Sequence, residues 1–237
     1  MNKIKEAEIN LTAKQEEKFE RFCKILKEYN EKFNLTSIKD DDEIYEKHFA
    51  DSLKGEEFFP FNANVIEIGS GGGFPSVPLK IARADLSFTL LEATEKKCGY
   101  LRNVGEELSF ENFKVVCGRA EEFGKKTEYR EKFDVATARA VARLNVLCEY
   151  CMPFVKKGGC FVAYKGDAEE EIKEAEKAVE ILGGKIIEVK DFILSEKSGR
   201  RNVIVIKKER ETPAEYPRLN GAIKKKPLRK TAGKRNF

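Results

Sequence analysis

Between Val65 and Leu79 the chain reads Val-Ile-Glu-Ile-Gly-Ser-Gly-Gly-Gly-Phe-Pro-Ser-Val-Pro-Leu. Val65, Ile66 and Ile68 suit a buried parallel strand, Gly69 to Gly73 permit positive φ and close backbone approach, and Pro75 can open a helix at its first turn. A strand, a glycine cluster and a helix N-terminus in that order make a grip for a small cofactor. The glycines at 69, 71, 72 and 73 miss the GxGxxG spacing of a dinucleotide loop, because Phe74 stands where its third glycine belongs. They match GxGxG, preceded by acidic Glu67, better. That arrangement suits S-adenosylmethionine, which presents a zwitterionic amino acid and a sulfonium and no phosphate. The plain alternative is a tight strand-to-helix turn that holds nothing.

Residues on later strand ends extend the candidate site. Glu92 closes the run Phe88-Thr-Leu-Leu-Glu92, where an acidic side chain can accept hydrogen bonds from ribose hydroxyls. Ala120 and Glu121 follow a third strand, where a loop can cover an adenine and meet its amino group. Arg139 ends Ala136-Thr-Ala-Arg139 and brings a guanidinium to the carboxyl edge of the sheet, where ligands bind in open α/β folds. Arg143 and Lys165 are further cations expected near the reaction, with a solvated charge as the alternative for each. His48 is the single histidine and is read as packing or bonding at an interface. No metal site is expected: Cys148 and Cys151 form a lone CxxC, read as two thiols one turn apart on a helix.

These side chains need a frame, and the sequence supplies an alternating one. Strand-like runs at Val65–Ile68, Ser87–Leu91, Lys114–Cys117, Phe133–Thr137 and Cys160–Tyr164 alternate with helix-like runs after Pro75 and over Thr94–Leu108, Leu144–Cys151 and Ala168–Leu182. That order predicts a doubly wound parallel sheet. Lys185–Phe192 and Asn202–Ile206 are joined only by a Ser195-Glu-Lys-Ser-Gly-Arg200 loop, so they are expected to pair antiparallel. Upstream, Thr12 and Gln15 form a capping box, and Phe19, Phe22, Leu26, Tyr29 and Phe33 recur at helical spacing. Asp40 or Asp41 caps a second helix, with Ile44, Tyr45, His48, Phe49 and Leu53 on one face. The expected division is a helical cap over 1–60, a cofactor-binding α/β domain over 61–208 and a basic tail over 209–237.

The chain has 237 residues, 41% of them apolar and 36% charged, enough for one substantial core with an appendage. No run of about 18 apolar residues could span a bilayer, and the start lacks the apolar core of a signal peptide. Six scattered cysteines do not form a disulfide framework. A cytoplasmic monomer is the expectation. The net charge of +4 conceals an asymmetry: residues 195–237 hold 14 Lys/Arg against 4 Asp/Glu, and beyond Glu215 there are eight basic residues and no acidic one. Such a tail suits a phosphate-rich partner; a purely solubilising role is the alternative. Tyr216 and Phe237 are its only aromatics, which favours phosphate contact over base stacking.

The ordered set VIEIGSGGGFP, LLEATEKK, GRAEEF, TARAVARLNVL and FVAYKG resembles the RsmG (GidB) family of bacterial small-subunit rRNA methyltransferases. So do Tyr29-Asn-Glu-Lys-Phe-Asn-Leu-Thr36, Lys47-His-Phe-Ala-Asp-Ser-Leu53, Tyr216-Pro-Arg and Lys226-Pro-Leu228, and the resemblance spans nearly the whole chain. It implies a class I methyltransferase fold with seven mostly parallel strands and an N-terminal helical cap. It further implies S-adenosylmethionine as methyl donor and N7 of a guanine in the decoding-region loop of 16S rRNA as acceptor, on naked rRNA or an assembling subunit. By motif position Gly69, Phe74, Ala120, Glu121 and Arg139 are the implied cofactor contacts; the loop geometry adds Gly71, Gly73 and Glu92. The family usually continues Phe-Pro-Gly where this chain has Ser76. N7 carries an available lone pair, so positioning by Arg139, Arg143 and Lys165 is expected to suffice, with no general base. The basic Ser198-Gly-Arg-Arg201 in the turn between the last two strands is read as a grip for the RNA backbone. The rivals are a small-molecule methyltransferase of the same fold, a non-catalytic RNA-binding protein and a nicotinamide oxidoreductase.

Overall fold

A computed structural model describes residues 4, 9–195, 198–219 and 221–229. The basic residues at 230, 234 and 235, together with Phe237, lie outside the described residues.

The first helix of four or more described residues is α1 (Ala13–Lys32), whose first turn is closed as the capping box requires: Thr12 Oγ1 accepts from Gln15 N, and Gln15 Oε1 accepts from Thr12 N at 2.8 Å. Its apolar stripe buries Phe19, Phe22, Cys23, Ile25 and Leu26, while Tyr29 and Phe33 are partly buried. Asp40 caps the next helix, α2 (residues 41–53), by accepting from Glu43 N at 3.0 Å. The expected continuous α-helix is instead interrupted, since Tyr45–Ala50 is π-helical. The Asp51 N–H bonds to Glu46 O, five residues back, and Arg139 Nη1 donates to the Lys47 carbonyl.

These two helices share the core of the following α/β unit. Phe22 stacks on Phe49 with ring centroids 5.3 Å apart and meets Phe74 of the glycine loop at 5.6 Å. Fully burying each such ring stabilises by about 1.5–3 kcal/mol, so the cap is anchored directly onto the loop it covers.

The sheet comprises β1 (Asn64–Ile68), β2 (Ser87–Glu92), β3 (Phe113–Cys117), β4 (Phe133–Arg139), β5 (Val155–Lys165), β6 (Gly184–Ile193) and β7 (Arg200–Lys208). Its order is β3-β2-β1-β4-β5-β7-β6. The pairings among the first five strands are parallel, and β7 inserts antiparallel between β5 and β6. Intervening helices are α3 (Ser76–Ala82), α4 (Glu95–Glu107), α5 (Ala120–Phe123), α6 (Leu144–Cys151) and α7 (Glu169–Ile181). Because β1 pairs with β2 on one side and β4 on the other, chain direction across the sheet reverses at β1, and a crevice opens beyond its carboxyl end.

β5 begins earlier than its apolar run suggests. Its register against β4 slips between Phe133 and Val135, and Gly158, at φ 85°, absorbs the irregularity. The segment after β7 is built into the fold. Arg130 donates to the carbonyls of Thr212, Pro213 and Tyr216, and Arg218 pairs with the fully buried Glu149 through two short bonds, 2.8 and 2.5 Å. It includes a short helix, α8 (Ala222–Lys225), whose Ile223 is buried.

Candidate functional site

A cleft of about 630 Å³ lies at the carboxyl ends of β1, β2 and β4, within the size range of small-ligand sites. Its floor is the glycine loop. Gly69 has φ 71°, and a Cβ there would come within 2.9 Å of Val141 Cγ2. Gly71 has φ 51° and donates its N–H to Glu92 Oε2 at 3.0 Å, while Glu92 Oε1 accepts from Thr94 N at 2.9 Å. Glu92 therefore braces the loop as well as lining the cleft. Phe74 also lines the cleft, and its peptide bond to Pro75 is cis. Pro75 precedes α3 as its N-cap, so the helix starts one residue later than the Pro75 signal suggests.

Gly73 departs from the expectation. It does not line the cleft. Its φ is 88°, and a Cβ there would stand 2.7 Å from Val77 Cγ2, so it is a turn and packing glycine. Beyond Glu92, Ala120 and Glu121 line the opposite end, where Ala120 starts the single turn of α5. Tyr150 of α6 and Lys224 of α8 join them. The basic C-terminal segment thus contributes a side chain to the cleft itself.

Arg139 is the most heavily bonded group at the other end. Its Nη1 donates to Asp51 Oδ2 at 2.7 Å and to Lys47 O at 3.1 Å, and its Nη2 donates to His48 Nδ1 at 2.9 Å. Its guanidinium carbon sits 4.7 Å from the centre of the Phe74 ring, on which His48 also stacks at 4.4 Å. Since Arg can only donate, His48 Nδ1 is the acceptor and Nε2 carries the proton, 2.8 Å from Thr36 Oγ1. Burial, followed by the Arg139 charge, holds the imidazole down at about 3. His48 is neutral at physiological pH and acts as a strut.

Lys165 and Arg143 are not brought to the cleft. Lys165 Nζ donates to Ala142 O at 2.9 Å and pairs with Glu171 at 2.7 Å; Arg143 is half exposed and pairs with Glu174. Glu171 also accepts from Leu144 N. These contacts pin the 140–144 segment to α7. Within it, Ala140 takes φ 57°, a left-handed conformation unusual for a residue with a Cβ, and it lines the cleft.

Glu67, behind the loop, has no exposed surface, and neither of its carboxylate oxygens has a hydrogen-bond partner; the Oγ of Ser76, also buried, has none either. Burial pushes Glu67 up to about 8, only partly opposed by the Ser76 and Ser70 hydroxyls and by Arg139. Glu67 does not line the cleft itself: it lies in the buried run of β1, two residues before Gly69. Thr36, Tyr150 and Lys224 carry no chemical signal of a place at this site in the motifs above; Asp51 carries a weak one, since His48 and Asp51 stand one helical turn apart.

Comparison with known proteins bears on the family and the fold. Residues 15–204 match the family model described as GidB, rRNA small subunit methyltransferase G. A protein named ribosomal RNA small subunit methyltransferase G from Brevibacillus brevis is 48% identical over 93% of this chain and 94% of its own length. The protein of that name from Staphylococcus aureus is 45% identical over 95% of each. Among solved structures, a methyltransferase from Pyrococcus furiosus superposes with TM-score 0.51 at 18% identity, covering 67% of this chain and 80% of that one. The precorrin-6y C5,15-methyltransferase of Geobacter metallireducens gives TM-score 0.50 at 14% identity, over 67% and 86%. The fold is that of class I S-adenosylmethionine-dependent methyltransferases, and the chain belongs to the GidB family of small-subunit rRNA methyltransferases.

Proposed function

We propose that this chain methylates N7 of a guanine in the decoding-region loop of 16S rRNA, acting as a cytoplasmic monomer. The observation that carries the reading is the meeting of four sequence-distant elements in one cleft: Gly69–Gly71, Glu92, Ala120–Glu121 and Arg139. When bound, S-adenosylmethionine supplies a methyl group on a sulfonium, which a nitrogen lone pair can attack without prior loss of a proton. Glu92 would hold the ribose hydroxyls, Ala120 and Glu121 the adenine, and Gly69–Gly71 the methionine end. Arg139, Thr36 and His48 bound the cleft on the cap side, where an unstacked guanine can enter. Neutral His48 accepts from Arg139 and cannot also serve as a base at Nδ1, in keeping with catalysis by alignment. Lys165 and Arg143 would serve by fixing the 140–144 segment, and Lys224 and Lys97 at the cleft supply cations for the RNA backbone.

Substitution of Gly71 tests the pocket. Its φ of 51° disfavours any side chain, and Gly71→Asp sets a second carboxylate beside Glu92, although space for a Cβ exists. Methyl transfer to small subunits should fall at least about 100-fold, equivalent to about 2.7 kcal/mol. Undiminished transfer would contradict the assignment of the loop.

A further inference from the structure

Glu95 and Cys98 stand one turn apart at the start of α4, and Cys117 is the last residue of β3. Because α4 connects β2 to β3, its first turn lies over the carboxyl ends of both strands, where Cys117 is the register partner of Glu92. One ligand atom from each residue, a Glu95 carboxylate oxygen and the two sulfurs, lies within 4.8 Å of the other two. Cys98 is fully buried, Cys117 is partly buried and Glu95 is exposed, so the cluster meets solvent on one side. Among the described residues it is the only group of three His, Cys, Asp or Glu side chains that converges in this way.

We propose that Glu95, Cys98 and Cys117 form a binding site for a thiophilic divalent cation of the zinc type, with a fourth position left to water. Metal–sulfur bonds of about 2.3 Å in a tetrahedron set sulfur atoms roughly 3.8 Å apart, so closing the cluster onto an ion requires movements of about 1 Å or less. Two S–H bonds break, two sulfur–metal bonds form, and two protons leave to solvent. Two thiolates and a carboxylate around a dication carry one net negative charge. Arg102 is placed to balance it, with Nη1 3.0 Å from Glu95 Oε1. Cys98 Sγ donates to Glu92 O at 3.3 Å, and that carbonyl also accepts from Gly118 N at 2.9 Å, so it keeps a donor when Cys98 becomes a thiolate. A bound ion would tie the first turn of α4 to the end of β3 beside Glu92. The site rests on these three side chains and is independent of the reaction assigned to the cleft.

The test is titration of the full chain, kept reduced with a phosphine, using Cd²⁺ as a zinc surrogate whose thiolate bonds absorb in the ultraviolet, followed by Zn²⁺ with proton release recorded. The band should saturate at one equivalent, and about two protons should leave per Zn²⁺. Cys98→Ala and Cys117→Ala should each weaken binding at least about tenfold and remove about half the band; Cys148→Ala/Cys151→Ala should leave it intact. Cys117 is only partly buried, so its variant serves even where the buried Cys98→Ala fails to fold. No saturable band in the unaltered chain, or an undiminished band in Cys117→Ala, would overturn the site.

Discussion

Arg139 reaches the cleft with three of its five donors already engaged, by Asp51, Lys47 and His48, which leaves the Nε–H and one Nη2–H for anything that binds. A guanidinium fixed in this way and laid over Phe74 presents its remaining donors in one direction. The sequence shows that an arginine ends β4; it does not show that the cap claims most of that arginine's bonds. Glu67 is the opposite case, legible as the acid before the glycines but not as a carboxyl without partners. Its pKa is raised from 4.5 to about 8 on folding, so its ionised form opposes folding. Relative to a neutral isostere, the folded state is penalised little below about pH 4.5, increasingly as pH rises from there to about 8, and by a constant amount above that. Glu67→Gln should therefore raise the melting temperature of the ligand-free protein, with a gain that grows from pH 5 to about pH 8 and then levels off on the order of 5 kcal/mol. Equal gains at both pH values in thermal melts would remove Glu67 as the cause.

At the scale of elements, the strand-to-helix glycine loop, the capping box at Thr12 and the β1 to β5 alternation are legible because each depends on local residue types and period. The π-helical turn at Tyr45–Ala50 is not, because the pull on the Lys47 carbonyl comes from Arg139, far along the chain. Gly73 escapes the sequence for a related reason: glycine spacing shows where positive φ is allowed, but the Val77 contact decides which glycines face the ligand. Charge alone marks the C-terminal segment as a basic tail, yet Arg218 closes on Glu149, whose side chain is wholly buried. Removing one partner of such a pair leaves an uncompensated buried charge. Arg218→Ala should cost about 3–5 kcal/mol, or on the order of 10 °C in melting temperature, and should loosen α8 with its cleft residue Lys224. A melt within a degree or two of the unaltered chain would show that the segment is held by other contacts.

Across the whole molecule, the cap, the sheet and the C-terminal segment each contribute to one cleft: Thr36 and His48 from the first, Gly69 to Gly72, Phe74 and Glu92 from the second, and Lys224 from the third. No described helix is long and apolar enough to cross a membrane. The positive charge is concentrated after residue 195, so the segment that completes the cleft is also the one suited to a phosphate backbone. The motif order across the chain makes the fold and the kind of cofactor readable. The RNA side depends on which surfaces the tertiary structure brings together, and there Arg143 and Lys165 pair with α7 instead of facing the cleft. The central claim, transfer of a methyl group to N7 of one guanine, is tested most directly by mapping N7-methylguanosine in 16S rRNA from cells with and without this protein. Loss of a single N7-methylguanosine in the decoding-region loop, restored by the intact chain and not by Gly71→Asp, is the predicted result; an unchanged methylation map would contradict it.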